Sequence, residues 1–201
     1  MAIKFQYNKT SLQELNKQLK VRQNTLPTIK NKESALRLEV KKTKNEVITL
    51  TNDFEEQIAS YSDMYPLWGE FDQSLLKIDD VILTTQKIAG VQTPVLEDIK
   101  YSINDFFLMN KPSWYYDGIT ILKLISKTVI EKEVAERKLE LLEYARKKTT
   151  QKVNLYEKVQ IPGLQDAILK IKRYLEDEDN LTKSAQKIVK ARQNMRKEAE
   201  E

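Results

Sequence analysis

The side chains able to do chemistry in this chain are carboxylates, lysines, arginines and tyrosines, because its 201 residues include neither cysteine nor histidine. That absence removes thiolate nucleophiles, disulfides, thiolate or imidazole metal ligands, and the commonest general base near neutral pH. Two carboxylates can still form an acid/base dyad. Here, however, 30 acidic residues are interspersed with 34 lysines and arginines, and no pair is set apart from the others. The densest run, Glu176, Asp177, Glu178 and Asp179, leads into Lys183, Lys187, Lys190, Arg192, Arg196 and Lys197. Charges at such spacings are neighbours on a helix, and a solvated face laced with i,i+4 pairs accounts for them.

The sequence contains no GxxxxGK[ST], GxGxxG, HExxH, CxxC or GxSxG pattern, and its four glycines leave little from which to build a phosphate-cradling loop. The expectation is a chain with no catalytic residues, no cofactor and no metal, and so not an enzyme.

The elements that carry these charges are long. Charged residues make up 32% of the chain and Gly plus Pro only nine positions, a balance suited to extended helices. From Leu12, apolar residues step by three and four through Leu15, Leu19, Leu26, Ile29, Leu36, Val40, Val47, Leu50, Phe54 and Tyr61. Arg22, Glu33, Thr43 and Gln57 are the polar interruptions of that frame. The pattern predicts a coiled-coil helix over about seven heptads, roughly 75 Å long. Thr10 or Ser11 is expected to cap it, with Glu14 completing a capping box.

A second stripe runs from about Asp117 or Gly118 through Ile121, Ile125, Val129, Ala135, Leu139, Leu142, Thr149, Val153, Tyr156, Leu164, Ala167, Ile171 and Tyr174. Two seams with a connector predict an antiparallel hairpin of helices. Tyr61 would pair near residue 118 and Leu12 near residue 168, so that about thirty C-terminal residues overhang. Pro27 and Pro162 should each remove a helical hydrogen bond, giving two separate bends, with Pro27 near residue 153.

Between the helices, Pro66, Gly69, Gly90, Pro94 and Pro112 accumulate together with Tyr65, Trp68, Trp114, Tyr115 and Tyr116. β-Branched runs on either side of Gly90 predict a short β-hairpin within Val81 to Tyr101, with Pro94 on an edge. The aromatic residues form either a local mini-core or a partner-binding patch. The expected fold is all-α: a long antiparallel two-helix coiled coil with a small α/β-hairpin foot in the middle of the chain. Residues 1–62 form the first helix, 63–116 the foot with a short helix, and 117–201 the second helix with its overhanging basic tip.

The net charge of +4 conceals a polarity. Basic residues outnumber acidic ones by eleven to four over residues 1–50 and by eighteen to fourteen over 126–201, but are outnumbered five to twelve over 51–125. A hairpin brings the two basic ends to one pole and leaves the acidic middle at the other. No stretch approaches the roughly 20 apolar residues of a membrane span, so no direct membrane insertion is expected. The basic residues lie among acidic ones, without the stripe and interleaved aromatics of a nucleic-acid reader, so nucleic acid is not an expected partner.

Two segments carry a family resemblance. Asn8, Lys9, Thr10, Ser11, Leu12, Leu15, Leu19 and the run from Leu26 and Pro27 to Leu36 resemble the opening helix of the D subunit of V-type and archaeal-type ATP synthases. Lys152 to Pro162 (Lys-Val-Asn-Leu-Tyr-Glu-Lys-Val-Gln-Ile-Pro), followed by Leu164, Ala167, Ile168 and Ile171, is similar to that family's Arg-Val-Asn-Ala-Leu-Glu-x-x-x-Ile-Pro-x-Leu pattern. Lys152 stands for the usual Arg, Leu155-Tyr156 for Ala-Leu, and Gly163 follows the proline. The resemblance covers nearly the whole chain and is weakest over residues 63–116.

The resemblance implies a non-catalytic central stalk, a rotor axle. It would couple ATP synthesis or hydrolysis in a nucleotide-binding hexamer to proton or sodium transport. Its implied partners are the catalytic A and regulatory B subunits of the hexamer, the central-stalk F subunit, and a funnel-shaped subunit linking to the membrane rotor ring. The implied location is cytoplasmic, peripheral to the membrane through the complex. Charge and position single out Lys17, Lys20, Arg22, Lys172, Arg173, Lys183, Lys187, Lys190 and Arg192 as hexamer contacts, and Trp68, Trp114 and Tyr115 as contacts of the foot. The competing expectation is a free coiled-coil adaptor or scaffold, which needs neither a basic overhang nor a foot.

Overall fold

The computed structural model describes residues 4–104 and 112–200. Helix α1 (Lys9–Ser60) runs unbroken for 52 residues and passes through Pro27. It begins at Asn8, whose Oδ1 accepts the Ser11 N–H at 2.6 Å while its carbonyl accepts from the Leu12 N–H. The cap is therefore Asn8 and not Thr10 or Ser11: the Asn side chain reaches the third N–H of the first turn, which has no helical acceptor. Ser11 already lies inside the helix.

A 3₁₀ turn (Ser62–Met64), the short helix α2 (Tyr65–Trp68) and a second 3₁₀ turn (Gln73–Leu75) lead into β1 (Leu76–Ile88). β1 pairs antiparallel with β2 (Val91–Ile103). The register matches Ile88 with Val91, Thr85 with Pro94 and Leu76 with Ile103, with irregularities between Ile78 and Asp80 and between Ile82 and Leu83. The two-residue turn has φ of 48° at Ala89 and 81° at Gly90. Positive φ at both positions is the I′ turn, whose twist matches that of paired strands. Both strands of a two-stranded sheet have a free edge, so Pro94 can leave its missing donor on the outer side. The β-hairpin expected around Gly90 is present, but each strand has 13 residues, so that β1 begins before Val81 and β2 ends beyond Tyr101.

Helix α3 (Tyr115–Asn154) starts just before the expected Asp117, and a π-helical segment (Leu155–Gln160) joins it to α4 (Ile161–Glu200). Pro162 lies two residues past the π segment and offers no N–H to the Lys158 carbonyl, so one i→i−4 bond is missing there.

Packing divides the chain into two compact units. One comprises residues 1–31 and 150–201, with a core of Leu15, Leu164, Ala167, Ile168 and Ile171. Phe5, Leu12, Leu19 and Leu175 pack around it. Leu12 and Leu15 thus lie across from residues near 168, as the antiparallel pairing requires.

The other unit, residues 32–149, holds two clusters. Phe71, Leu75, Tyr115 and Ile119 are buried at the base of the ribbon, and Leu36, Val40 and Leu142 are buried along the helices. The turn residues Ile88, Ala89 and Val91 pack against this second cluster. The Tyr101 hydroxyl contacts the Lys123 carbonyl at 3.2 Å and Ser126 Oγ at 3.0 Å. At about 3.3 Å per residue a 13-residue strand spans roughly 40 Å, so the ribbon lies along α1 and α3 and is not a foot confined to their ends.

Candidate partner-binding surfaces

From Glu176 to Arg196 every residue of α4 is exposed. Before that point α4 is packed: Ile171 is fully buried, and the Tyr174 ring lies 4.9 Å from that of Tyr7. Lys183, Lys187, Lys190 and Arg192 project from this exposed length. Lys17, Lys20, Lys172 and Arg173 are exposed on the packed length of the same unit. Nearby Lys170 has its pKa raised, chiefly by the 2.9 Å bond to Asp166.

Arg22 differs from the other basic candidates. Its Nε donates to Gln160 Oε1 at 2.7 Å and its Nη1 to the Gln18 carbonyl at 3.3 Å, so its guanidinium is partly committed within the chain. Lys30 bonds Glu157 at 2.8 Å. These two bonds bracket Pro27, which therefore stands across from the π segment and not near residue 153. Pro27 and the π segment thus fall at one level of the helix pair, whereas regular spacing placed Pro27 near residue 153.

The exposed length also carries an apolar stripe that the sequence reading stopped short of. Beyond Tyr174 the stripe continues at seven-residue steps through Leu181, Ile188 and Met195, which are 73%, 56% and 66% exposed. Its signal in the sequence is the i, i+7, i+14 spacing, masked by the density of charge around it.

At the other unit's ribbon base, the aromatic candidates pack on one another. Trp68 and Trp114 meet edge to face at 5.5 Å, Phe71 lies 5.8 Å from Trp114, and Tyr115 lies 5.1 Å from Phe71. Tyr115 is 2% exposed, and its hydroxyl donates to the Glu70 carbonyl. Gly118 permits this arrangement, since a Cβ there would sit 3.0 Å from the Trp114 ring and 3.3 Å from Phe71. Trp68 and Trp114 are only half-buried. Beside them an open cleft of about 510 Å³ is lined by Trp68, Phe71, Leu76, Ile78, Leu122 and Ser126. Its walls are apolar apart from Ser126, which suits an apolar side chain of a partner better than a charged metabolite.

Among the described residues, no group of three or more acidic side chains is placed to hold a metal ion, and no helix is long and apolar enough to cross a membrane. The surfaces on offer are thus an exposed basic helix and an apolar cleft, both suited to protein contacts.

Known proteins with similar sequences point to one family. The family of ATP synthase D subunits matches residues 11–191. The chain is similar to the V-type ATP synthase D subunit of Borreliella burgdorferi, with 29% identity over 195 residues covering 94% of each chain. It is similar to the protein of the same name from Chlamydia abortus, at 27% identity over 88% of this chain and 87% of that one. For Chlamydia pneumoniae the identity is 24%, over 98% and 97% respectively. With the family pattern spanning nearly the whole chain and the expected paired helices and β-hairpin in place, this protein belongs to the family of ATP synthase D subunits.

Proposed function

We propose that this chain is the central rotor axle of a V-type ATP synthase or ATPase, a non-catalytic component that couples the nucleotide-binding hexamer to proton or sodium transport. The observation that carries this is the exposed α4 length from Glu176 to Arg196, a single charged helix continuous with a packed helix pair. A slender tip of this kind can press on surrounding subunits in turn, and each rotational position then favours one set of nucleotide-site conformations. Exposed charge pairs contribute only about 0–1 kcal/mol each, so contacts through Lys183, Lys187, Lys190 and Arg192 can guide the tip without arresting it.

In this reading the tip and the adjoining Lys17, Lys20, Lys172 and Arg173 meet the catalytic A and regulatory B subunits. Arg22 serves chiefly to hold α1 to the π segment. The apolar cleft beside Trp68 and Trp114 receives the F subunit or the funnel-shaped subunit that leads to the membrane ring, while Tyr115 supports that surface from beneath. The protein would then be cytoplasmic and peripheral to the membrane.

The test is co-purification with the A and B subunits, with and without F, followed by mass determination and an ATPase assay. One copy per hexamer with altered ATPase activity supports the axle. A folded chain that ignores the hexamer supports a free coiled-coil adaptor. Deleting residues 180–201 should abolish the change in ATPase activity without unfolding the remainder.

A further inference from the structure

We infer that the far half of the β-ribbon, residues 83–96, is a latch that swings off the helix pair about the irregularity between Ile82 and Leu83, uncovering Leu36 and Leu142 while the base of the ribbon stays docked. The latch is a property of this chain alone and does not depend on the axle reading.

The two halves of the ribbon are held by different chemistry. At the base, the Tyr101 hydroxyl is bound to the Lys123 carbonyl and to Ser126 Oγ. Asn104 donates from its backbone N–H to the Leu75 carbonyl and from Nδ2 to the Ser74 carbonyl, and Leu76 packs on the aromatic cluster. In the far half the threonine hydrogen bonds stay within the ribbon. Thr93 Oγ1 donates to the Gln86 carbonyl at 3.0 Å and Thr84 Oγ1 to the Val95 carbonyl at 3.4 Å. Thr93 is fully buried, yet its hydroxyl is satisfied by a partner that travels with it. The attachment of this half to the helices is apolar and lies at the turn, where half-buried Ile88, Ala89 and Val91 meet the cluster of Leu36, Val40 and Leu142.

Between these two attachments the ribbon spans open space. A gap of about 250 Å³ lies under residues 94–96, walled by Leu50, Val134 and Ala135 and by the charged Glu46, Glu131 and Lys138. A second, of about 210 Å³, lies between residues 96–99 and Lys127 and Glu131. Lys138 pairs with Glu46 at 3.3 Å from one helix to the other, so lifting the ribbon breaks no ion pair there.

The ribbon also has a place to bend. Its register passes over Glu97 of β2, which has no partner on β1, and over Asp79 of β1, which has none on β2. An unpaired residue interrupts the ladder and bends the strand, so flexing concentrates at such points. Glu97 stands between the fixed base and the far half, beside the second gap. Opening there separates a few half-buried side chains and leaves the base and both helices intact. It therefore costs a fraction of global unfolding, and the open form is a minor state of about 0.1–10% of molecules.

The experiment uses the full chain and exploits its lack of cysteine, which makes a single introduced thiol a unique reporter. Leu36→Cys places one beneath the turn: Lys32, one helical turn earlier, has its Nζ 3.3 Å from where a Gly90 Cβ would stand. Ile119→Cys places a control thiol in the aromatic cluster at the ribbon base. Each is labelled with iodoacetamide in native buffer, and the rate is divided by that of the same variant in urea. Leu36→Cys is expected to react at least about tenfold faster than Ile119→Cys on that scale, as local opening requires. Adding I88Q/V91Q should accelerate Leu36→Cys at least about tenfold more, through lost apolar contact, and leave Ile119→Cys unchanged.

Equal corrected rates at the two sites would mean that Leu36 is reached only when the whole unit unfolds, which overturns the latch. So would an I88Q/V91Q pair that accelerates both sites equally or neither. Should Leu36→Cys fail to fold by far-UV circular dichroism, spin labels on the exposed Lys87→Cys and Tyr144→Cys read the same motion. I88Q/V91Q should then add a longer distance between the labels, and an unchanged distance overturns the latch.

Discussion

Leu36 of α1 and Leu142 of α3, both fully excluded from solvent, share one cluster with the turn of the β-ribbon. Residues more than 100 positions apart in the sequence are brought together there, and Ile88, Ala89 and Val91 close over them. Truncating Leu142 to Ala should therefore destabilise residues 32–149 by about 2–5 kcal/mol, through lost burial and the cavity left behind. Chemical denaturation monitored by tryptophan fluorescence measures this, with Leu38→Ala as an exposed control expected to change little.

The turn itself is held by backbone geometry. Gly90 has φ of 81°, and a Cβ added there would lie 3.3 Å from Lys32 Nζ. Gly90→Ala is expected to cost about 1 kcal/mol, mainly from the left-handed backbone, since the flexible lysine can move aside. Urea midpoints compared at unchanged slope test this. An unchanged midpoint would mean that the turn contributes nothing to stability.

Pro162 predicts a local effect on dynamics. Replacing it with Ala restores an N–H that can bond the Lys158 carbonyl, so residues 155–160 should exchange their amide hydrogens at least about tenfold more slowly. Hydrogen exchange followed by mass spectrometry reads that segment directly. If exchange is unaltered, the packing around Arg22 and Lys30 holds the π segment, and the proline does not.

The Lys170–Asp166 pair gives a prediction about pH. The hydrogen bond from Lys170 to Asp166, followed by the negative charge of that carboxylate, raises the Lys170 pKa above the usual lysine value. A raised value means that the pair stabilises the fold fully below the ordinary lysine pKa and loses that effect as pH rises through the higher one. The side chain is exposed, so the contribution to stability is small. NMR titration of the Lys170 ammonium should show the elevated value in the unmodified chain and a return toward the ordinary range in Asp166→Asn.

How much was legible in the sequence differs from element to element. Heptad spacing is a property of the helix itself, so Leu12 through Tyr61 marked α1 without knowledge of its partner. β-Branched residues around Gly90 marked the hairpin because a two-residue turn demands positive φ locally. Its length was underestimated because the aspartates and lysines toward the outer ends of both strands mask the alternation of a ribbon with a solvated face.

Composition and periodicity determined a chain of two long helices, a hairpin between them, a charged C-terminal helix, and no cysteine or histidine chemistry. Tertiary structure alone decided that the ribbon turn packs on Leu36 and Leu142, that Gln160 engages Arg22, that Tyr115 is enclosed, and that Pro27 faces the π segment. The physical reason lies in range. Periodicity and turn chemistry act within one or two turns of backbone, whereas each of these contacts depends on complementary surfaces contributed by distant parts of the chain.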